Sequence, residues 1–102
     1  MAKVLVWVKE PHQKAKHTHI SVTSENLHKW LGDYSEAVFS TDMHILHNSE
    51  MVFSNMQYNC TICNQMFFGT IILIGKRGDT FIDCPMDKND IRKYLPQLMK
   101  EG

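Results

Sequence analysis

From Met51 to Gly75 the chain carries no Asp, Glu, Lys or Arg, and this segment ends in Met66-Phe67-Phe68-Gly69-Thr70-Ile71-Ile72-Leu73-Ile74-Gly75. A run this apolar, β-branched and short, closed by Gly75 and followed by Lys76-Arg77-Gly78-Asp79, predicts a buried central strand entering a hairpin. It is too short to span a bilayer, which takes about 20 predominantly apolar residues. Residues 70–74 are therefore expected at or near the centre of a sheet, with Ile72 and Ile74, or Ile71 and Leu73, packed under a helix.

The remaining elements are read around that strand. Residues 3–8 alternate around Val4, Val6 and Val8 and open the fold as a strand, which Glu10-Pro11 stops because proline has no amide hydrogen. Residues 19–22 return as a second strand. Thr23 or Ser24 then caps a short helix whose Leu27, Trp30, Leu31 and Tyr34 share one face, and Gly32 ends it in a left-handed conformation. Residues 37–39, 43–47 and 51–53 read as short strands, with Asn48-Ser49-Glu50 turning between the last two. Residues 70–74 and 80–84 pair as an antiparallel hairpin. Pro85 breaks the strand, and Asp87 begins a helix with Asp90 in its first turn, where acidic side chains suit the helix dipole. Ile91, Tyr94, Leu95, Leu98 and Met99 form its apolar stripe, which Pro96 kinks or ends. The order predicts an α+β fold, a small mainly antiparallel sheet with two short helices packed on it, in one domain over residues 1–102.

Composition limits the function classes. A chain of 102 residues buries one core, and 43% hydrophobic with 22% charged residues is ordinary for a globular protein. An odd cysteine count argues against an extracellular disulfide framework, and free thiols fit a reducing compartment. The apolar stretch at residues 4–8 is shorter than a signal peptide requires, so a cytoplasmic location without membrane attachment is expected. Formal net charge is zero but uneven. The first 31 residues hold Lys3, Lys9, Lys14, Lys16 and Lys29 against Glu10 and Glu25, whereas residues 32–75 hold Asp33, Glu36, Asp42 and Glu50 with no Lys or Arg. The only basic patch, in the loop of residues 9–17, reads as a solvated hairpin loop, so duplex nucleic acid is not expected as a partner.

Several features together resemble a family. They are the valine-rich first strand with its Glu-Pro loop (Val4-Leu5-Val6-Trp7-Val8-Lys9-Glu10-Pro11), the helix ending at Leu31-Gly32-Asp33-Tyr34, and the turn His47-Asn48-Ser49-Glu50. With them go the late strand Phe68-Gly69-Thr70-Ile71-Ile72-Leu73-Ile74-Gly75 and a final helix. This order is similar to that of a domain-of-unknown-function family of small phage and mobile-element proteins. The resemblance implies phage origin, the cytoplasm of a bacterial host and no established activity. It supplies no catalytic residues. Neither the Cys60-x-x-Cys63 pair nor the His-rich early loop belongs to that family's pattern.

Cys60 and Cys63 are spaced to share a zinc ion, but a structural site takes four ligands. The others would be His17 and His19, alternating on a strand, or Cys84 with a histidine. Buried structural thiols are the simpler reading, and a thioredoxin-like pair would sit at the start of a helix, which this context lacks. His44 and His47 would face opposite sides of a strand. No Ser or Cys stands in a nucleophile-elbow or glycine-rich context, and Gly75-Lys76-Arg77-Gly78 reads as a turn rather than a phosphate loop. The expectation is a non-catalytic protein without cofactor.

Three function classes follow. In the first, the chain is an accessory protein that binds a host protein, one form of which is a counter-defence inhibitor. It would use the acidic segment of Asp33, Tyr34, Glu36 and Asp42 to meet a basic partner. In the second it binds a small molecule such as a nucleotide signal, through Trp7, Lys9, His17 and His19. The third is zinc binding through Cys60 and Cys63. A homodimer through a sheet edge or helix face is compatible with each.

Overall fold

A computed structural model describes residues 3–101. The elements are β1 (Lys3–Lys9), β2 (Lys16–Ser21), α1 (Ser24–Leu31), β3 (Tyr34–Ser40), β4 (Met43–Asn48), β5 (Tyr58–Ile62), β6 (Gln65–Phe68), β7 (Ile71–Arg77), β8 (Thr80–Ile82) and α2 (Lys88–Tyr94), followed by a 3-10 turn over Pro96–Met99. The main sheet runs β2-β1-β7-β4-β3, with β8 added to the C-terminal end of β7, and every pairing in it is antiparallel. β5 and β6 form a separate hairpin. The fold is α+β, and β7 is its central strand.

The apolar run of β7 is explained by layers on both sides of the sheet. Ile72 and Ile74 face one core with Val4, Val6, Val8, Ile20, Leu46 and the Leu27 and Leu31 side chains of α1. Ile71 and Leu73 face a second core with Trp7, Met43 and Ile45, closed by Ile62 and Phe67 of the β5–β6 hairpin and by Ile91, Leu95 and Leu98. Alternate β7 side chains thus enter opposite cores, and the expected choice between two residue pairs resolves into both. A strand covered on two faces reads as a continuous apolar run. The helices accordingly lie on opposite faces of the sheet.

Local signals place both helices. The Thr23 side chain accepts from Asn26 N, capping α1. Asp87 and Asp90 exchange side-chain and backbone hydrogen bonds in a capping box at α2. Gly32 does end α1 at positive φ, but at φ 73 and ψ −151 it lies in a region essentially reserved for glycine rather than in the left-handed helical well. α2 stops at Tyr94, and Pro96 starts the 3-10 turn.

Three expectations are corrected. Residues 51–53 form turns instead of a strand. Successive bonds from Met51 N to Asn48 O and from Phe53 N to Glu50 O wind this segment up, burying Met51 and turning Val52 and Phe53 outward. The β5–β6 hairpin falls where no strand was read, because its turn is built on Cys63 and Asn64 at φ 50 and 66 and no glycine marks it. Finally, Gly75 does not close its strand. β7 continues to Arg77 and turns at Gly78-Asp79, where Gly78 takes φ 59.

Candidate functional site

The acidic segment lies along one border of the sheet. β3 is the outermost strand on that side, and among the described residues it pairs with β4 alone. Asp33 precedes the strand and is exposed, 3.5 Å from His28 Nδ1. Asp42 lies exposed in the turn after it. Tyr34 leans its ring onto the α1-side core. In contrast, Glu36, though exposed on the strand, is engaged by neighbouring side chains. Its carboxylate accepts from Lys76 Nζ at 2.7 Å and pairs with His44 Nδ1 at 2.8 Å. These three side chains project from β3, β4 and β7 on the α1 face, and the Lys76 ammonium also rests over the Phe81 ring, 5.0 Å from its centroid. The four residues are therefore not one charged surface. Asp33 and Asp42 are exposed to solvent, whereas Glu36 links neighbouring strands.

Burial pushes the Glu36 carboxyl up, but the hydrogen bonds and charges of Lys76 and His44 outweigh it and hold the group below its ordinary value of 4.5. A carboxyl with a depressed folded pKa contributes stability above its unfolded pKa and loses it as pH falls through the folded one. Wild type is thus expected to lose Tm more steeply than Glu36→Gln below about pH 4.5, with wild type the more stable of the two at neutral pH. The site is partly exposed, so screening keeps the effect small. Thermal melts of both proteins from neutral to acid pH check it, and parallel curves would remove the role assigned to Glu36.

The residues read as a small-molecule site are dispersed in function. Trp7 is 3% exposed. Its indole stacks on His17 with ring centroids 4.1 Å apart and donates Nε1–H to the Met86 carbonyl. It is a core and strand-pairing residue and offers no free face to a base, which corrects its expected stacking role. Burial and His19 lower the His17 pKa, while Asp87 and Asp83 oppose the shift. His19 stands exposed on the same strand. Lys9 is turned inward at 1% exposure and donates to the Glu10 carbonyl at 3.0 Å.

The two cysteines are set apart by burial. Cys60 packs in the core, where burial pushes its thiol up to about 11 despite the nearby Lys9 charge. Cys63 is exposed at the hairpin turn. Among the described residues no group of three or more His, Cys, Asp and Glu side chains is arranged to hold a metal ion. Also among the described residues, no helix is long and apolar enough to cross a membrane.

A cleft of about 460 Å³ adjoins the start of β3 and is lined by Pro11, Trp30, Met56, Gly69 and Thr70 together with Asn48, among others. Among the described residues no charged side chain lines it. The loop that supplies Met56 also exposes Val52 and Phe53, the latter at 89%. The feature missed by reading the residues in order is Val38, 72% exposed at the middle of β3. Its strand pattern was legible, but its position on an outer strand depends on sheet order. The alternation Leu5, Trp7, Lys9 places Lys9 on the same face of β1 as Trp7, a local signal for its side of the sheet but not for its burial. No family model, curated protein or solved structure matches this chain.

Proposed function

We propose that this chain is a non-catalytic accessory protein that binds a protein partner along the outer border of β3, taking an extended partner segment as an added strand. The observation that supports this most is the difference between the two outer strands. β2 carries Lys16, His17 and His19, the kind of charged and polar side chains that discourage strand addition. β3 reads Tyr34-Ser35-Glu36-Ala37-Val38-Phe39-Ser40 without Lys, Arg or Pro, its one carboxylate is neutralised internally, and Val38 stands out to solvent. A partner strand would gain main-chain hydrogen bonds there, with Val38 as an apolar contact. Asp33 and Asp42 stand just before and just after β3, so a basic segment is favoured. On the phage resemblance the partner is a host protein, and the action is stoichiometric.

Val38→Arg tests the proposal. The substitution is at an exposed site, so Tm should stay within about 3 °C of wild type. Capture of a bacterial-lysate protein by the immobilised chain should fall about tenfold or more, since a charge now opposes strand addition. Equal capture by both proteins would remove β3 as the contact. Reversing Asp33 and Asp42 together should weaken the same binding and flatten its salt dependence. Sub-stoichiometric action on the captured protein would refute the non-catalytic reading. A second copy of the chain competes for the same border, and light scattering over a concentration series distinguishes it as a dimer that Val38→Arg dissolves.

A further inference from the structure

β1 ends inside the protein with a lysine. Lys9 is 1% exposed, enters no ion pair among the described residues and donates to a single backbone carbonyl, leaving donor capacity on its ammonium. Next to it, Asn59 of β5 is buried. Its Nδ2 donates to the carbonyls of Lys9 and Gly69, each at 2.7 Å, while its Oδ1 has no hydrogen-bond partner among the described residues. Both residues line a cleft of about 180 Å³ whose other walls include Tyr58, Cys60, Gln97 and Lys100.

The chemistry of this cleft is one-sided. Among the described residues its lining holds two lysines and no carboxylate. The thiol of Cys60, pushed up to about 11, is uncharged at neutral pH and supplies Lys9 with no counter-charge there. Burial lowers the Lys9 pKa, as expected for an ammonium without a paired anion. A buried charge without a partner and a buried amide oxygen without a donor are each costly, and native structures normally satisfy both. One ligand can satisfy the two together if it accepts from Lys9 and donates to Asn59.

We propose that the Lys9–Asn59 cleft is a binding site for a compact oxyanion that also carries a protic group, with the oxyanion on Lys9 Nζ and the protic hydrogen donated to Asn59 Oδ1. Lys100, exposed at the mouth, adds attraction for the incoming anion. The cleft has room for about six water volumes at ~30 Å³ each, which suits a hydrogenphosphate or a small hydroxy acid. The site is on the α2 side of the sheet and is independent of the β3 border.

The test is a thermal-shift series on the full chain at neutral pH, with inorganic phosphate, glycolate, sulfate and acetate as probes. Phosphate or glycolate at ten times its Kd should raise Tm by about 5–10 °C, while sulfate and acetate, which lack the protic group, should do markedly less. Which of the first two acts decides between a phosphate end and a hydroxy acid. Lys9→Met keeps the stem, removes the charge and should fold at least as well as wild type, since it eliminates an unpaired buried ion. It should lose the response. Lys100→Gln, at an exposed position, should weaken it about fivefold while leaving the basal Tm unchanged. The proposal is overturned if no probe shifts wild type, if sulfate and acetate match phosphate and glycolate, or if Lys9→Met responds as wild type does.

Discussion

Ile72→Asp is expected to leave no cooperatively folded protein at room temperature. Ile72 is fully buried in the middle of β7, opposite Val8 of β1 and Leu46 of β4, under the Leu27 and Leu31 side chains of α1. The substitution loses about 2–3 kcal/mol of apolar burial. It also leaves a carboxylate unpaired in the core at a cost of several kcal/mol, or forces it to stay protonated. Together these approach the whole stability of a small domain, roughly 5–15 kcal/mol. Far-UV circular dichroism and urea titration would record the loss. The same substitution at Val38, exposed on an outer strand, should retain a cooperative transition, which separates burial from charge as the cause. An Ile72→Asp protein melting within a few degrees of wild type would overturn the placement of β7.

Gly75→Ala is expected to be the most damaging change of a single methyl group at any glycine in β7 or its turn. A Cβ at Gly75 would collide with the Asp83 carbonyl oxygen and lie 2.8 Å from Ile82 Cγ1. The Asp83 segment cannot simply swing away. It is fastened to β1 by Leu5 N donating to Asp83 Oδ1 and by Cys84 N donating to Leu5 O, both at 2.8 Å. Overpacking of this kind costs about 1–3 kcal/mol, or a Tm lowered by about 5–15 °C. Gly78→Ala is the comparison. Nothing lies near its Cβ, so only the positive φ resists the methyl group, at about 1 kcal/mol. Urea midpoints of the two variants should fall in that order. The reverse order would mean that β8 yields and that the close approach at Gly75 is not structural.

Both outcomes depend on β7, the element most legible in the amino-acid order. Its buried run, the alternation of β1, the caps at Thr23 and Asp87 and the break at Pro96 are local chemistry, decided within a few residues of where they are read. What escaped that reading is non-local. Nothing in Tyr58-Asn59-Cys60-Thr61-Ile62 separates a hairpin from a loop until Phe67 and Ile62 are seen closing the core over Ile71 and Leu73. Met51 looked like the start of a strand, yet it is a single buried anchor at the base of a wound turn. Gly75 looked like a stop because glycine commonly ends strands, whereas here it makes room for another backbone.

The candidate sites divide in the same way. That Asp33 and Asp42 are exposed acids beside a strand follows from composition and turn position. That Glu36, in the same segment, is neutralised by Lys76 forty positions away required the pairing of β3 with β4 and of β4 with β7. Trp7 could be read as a binding aromatic or as core, and its stacking on His17 depends on the β1–β2 register.

By itself, then, the amino-acid order determined an α+β chain organised on one buried strand, because hydrophobic period, capping and proline act over a few residues. Sheet order was decided only in three dimensions, and with it which strands lie outermost, which lysine loses its water and which amide oxygen is left without a donor. Those properties come from the packing of segments distant in sequence. A side chain's free energy in a fold depends on what is packed beside it, and adjacency in the chain does not carry that information.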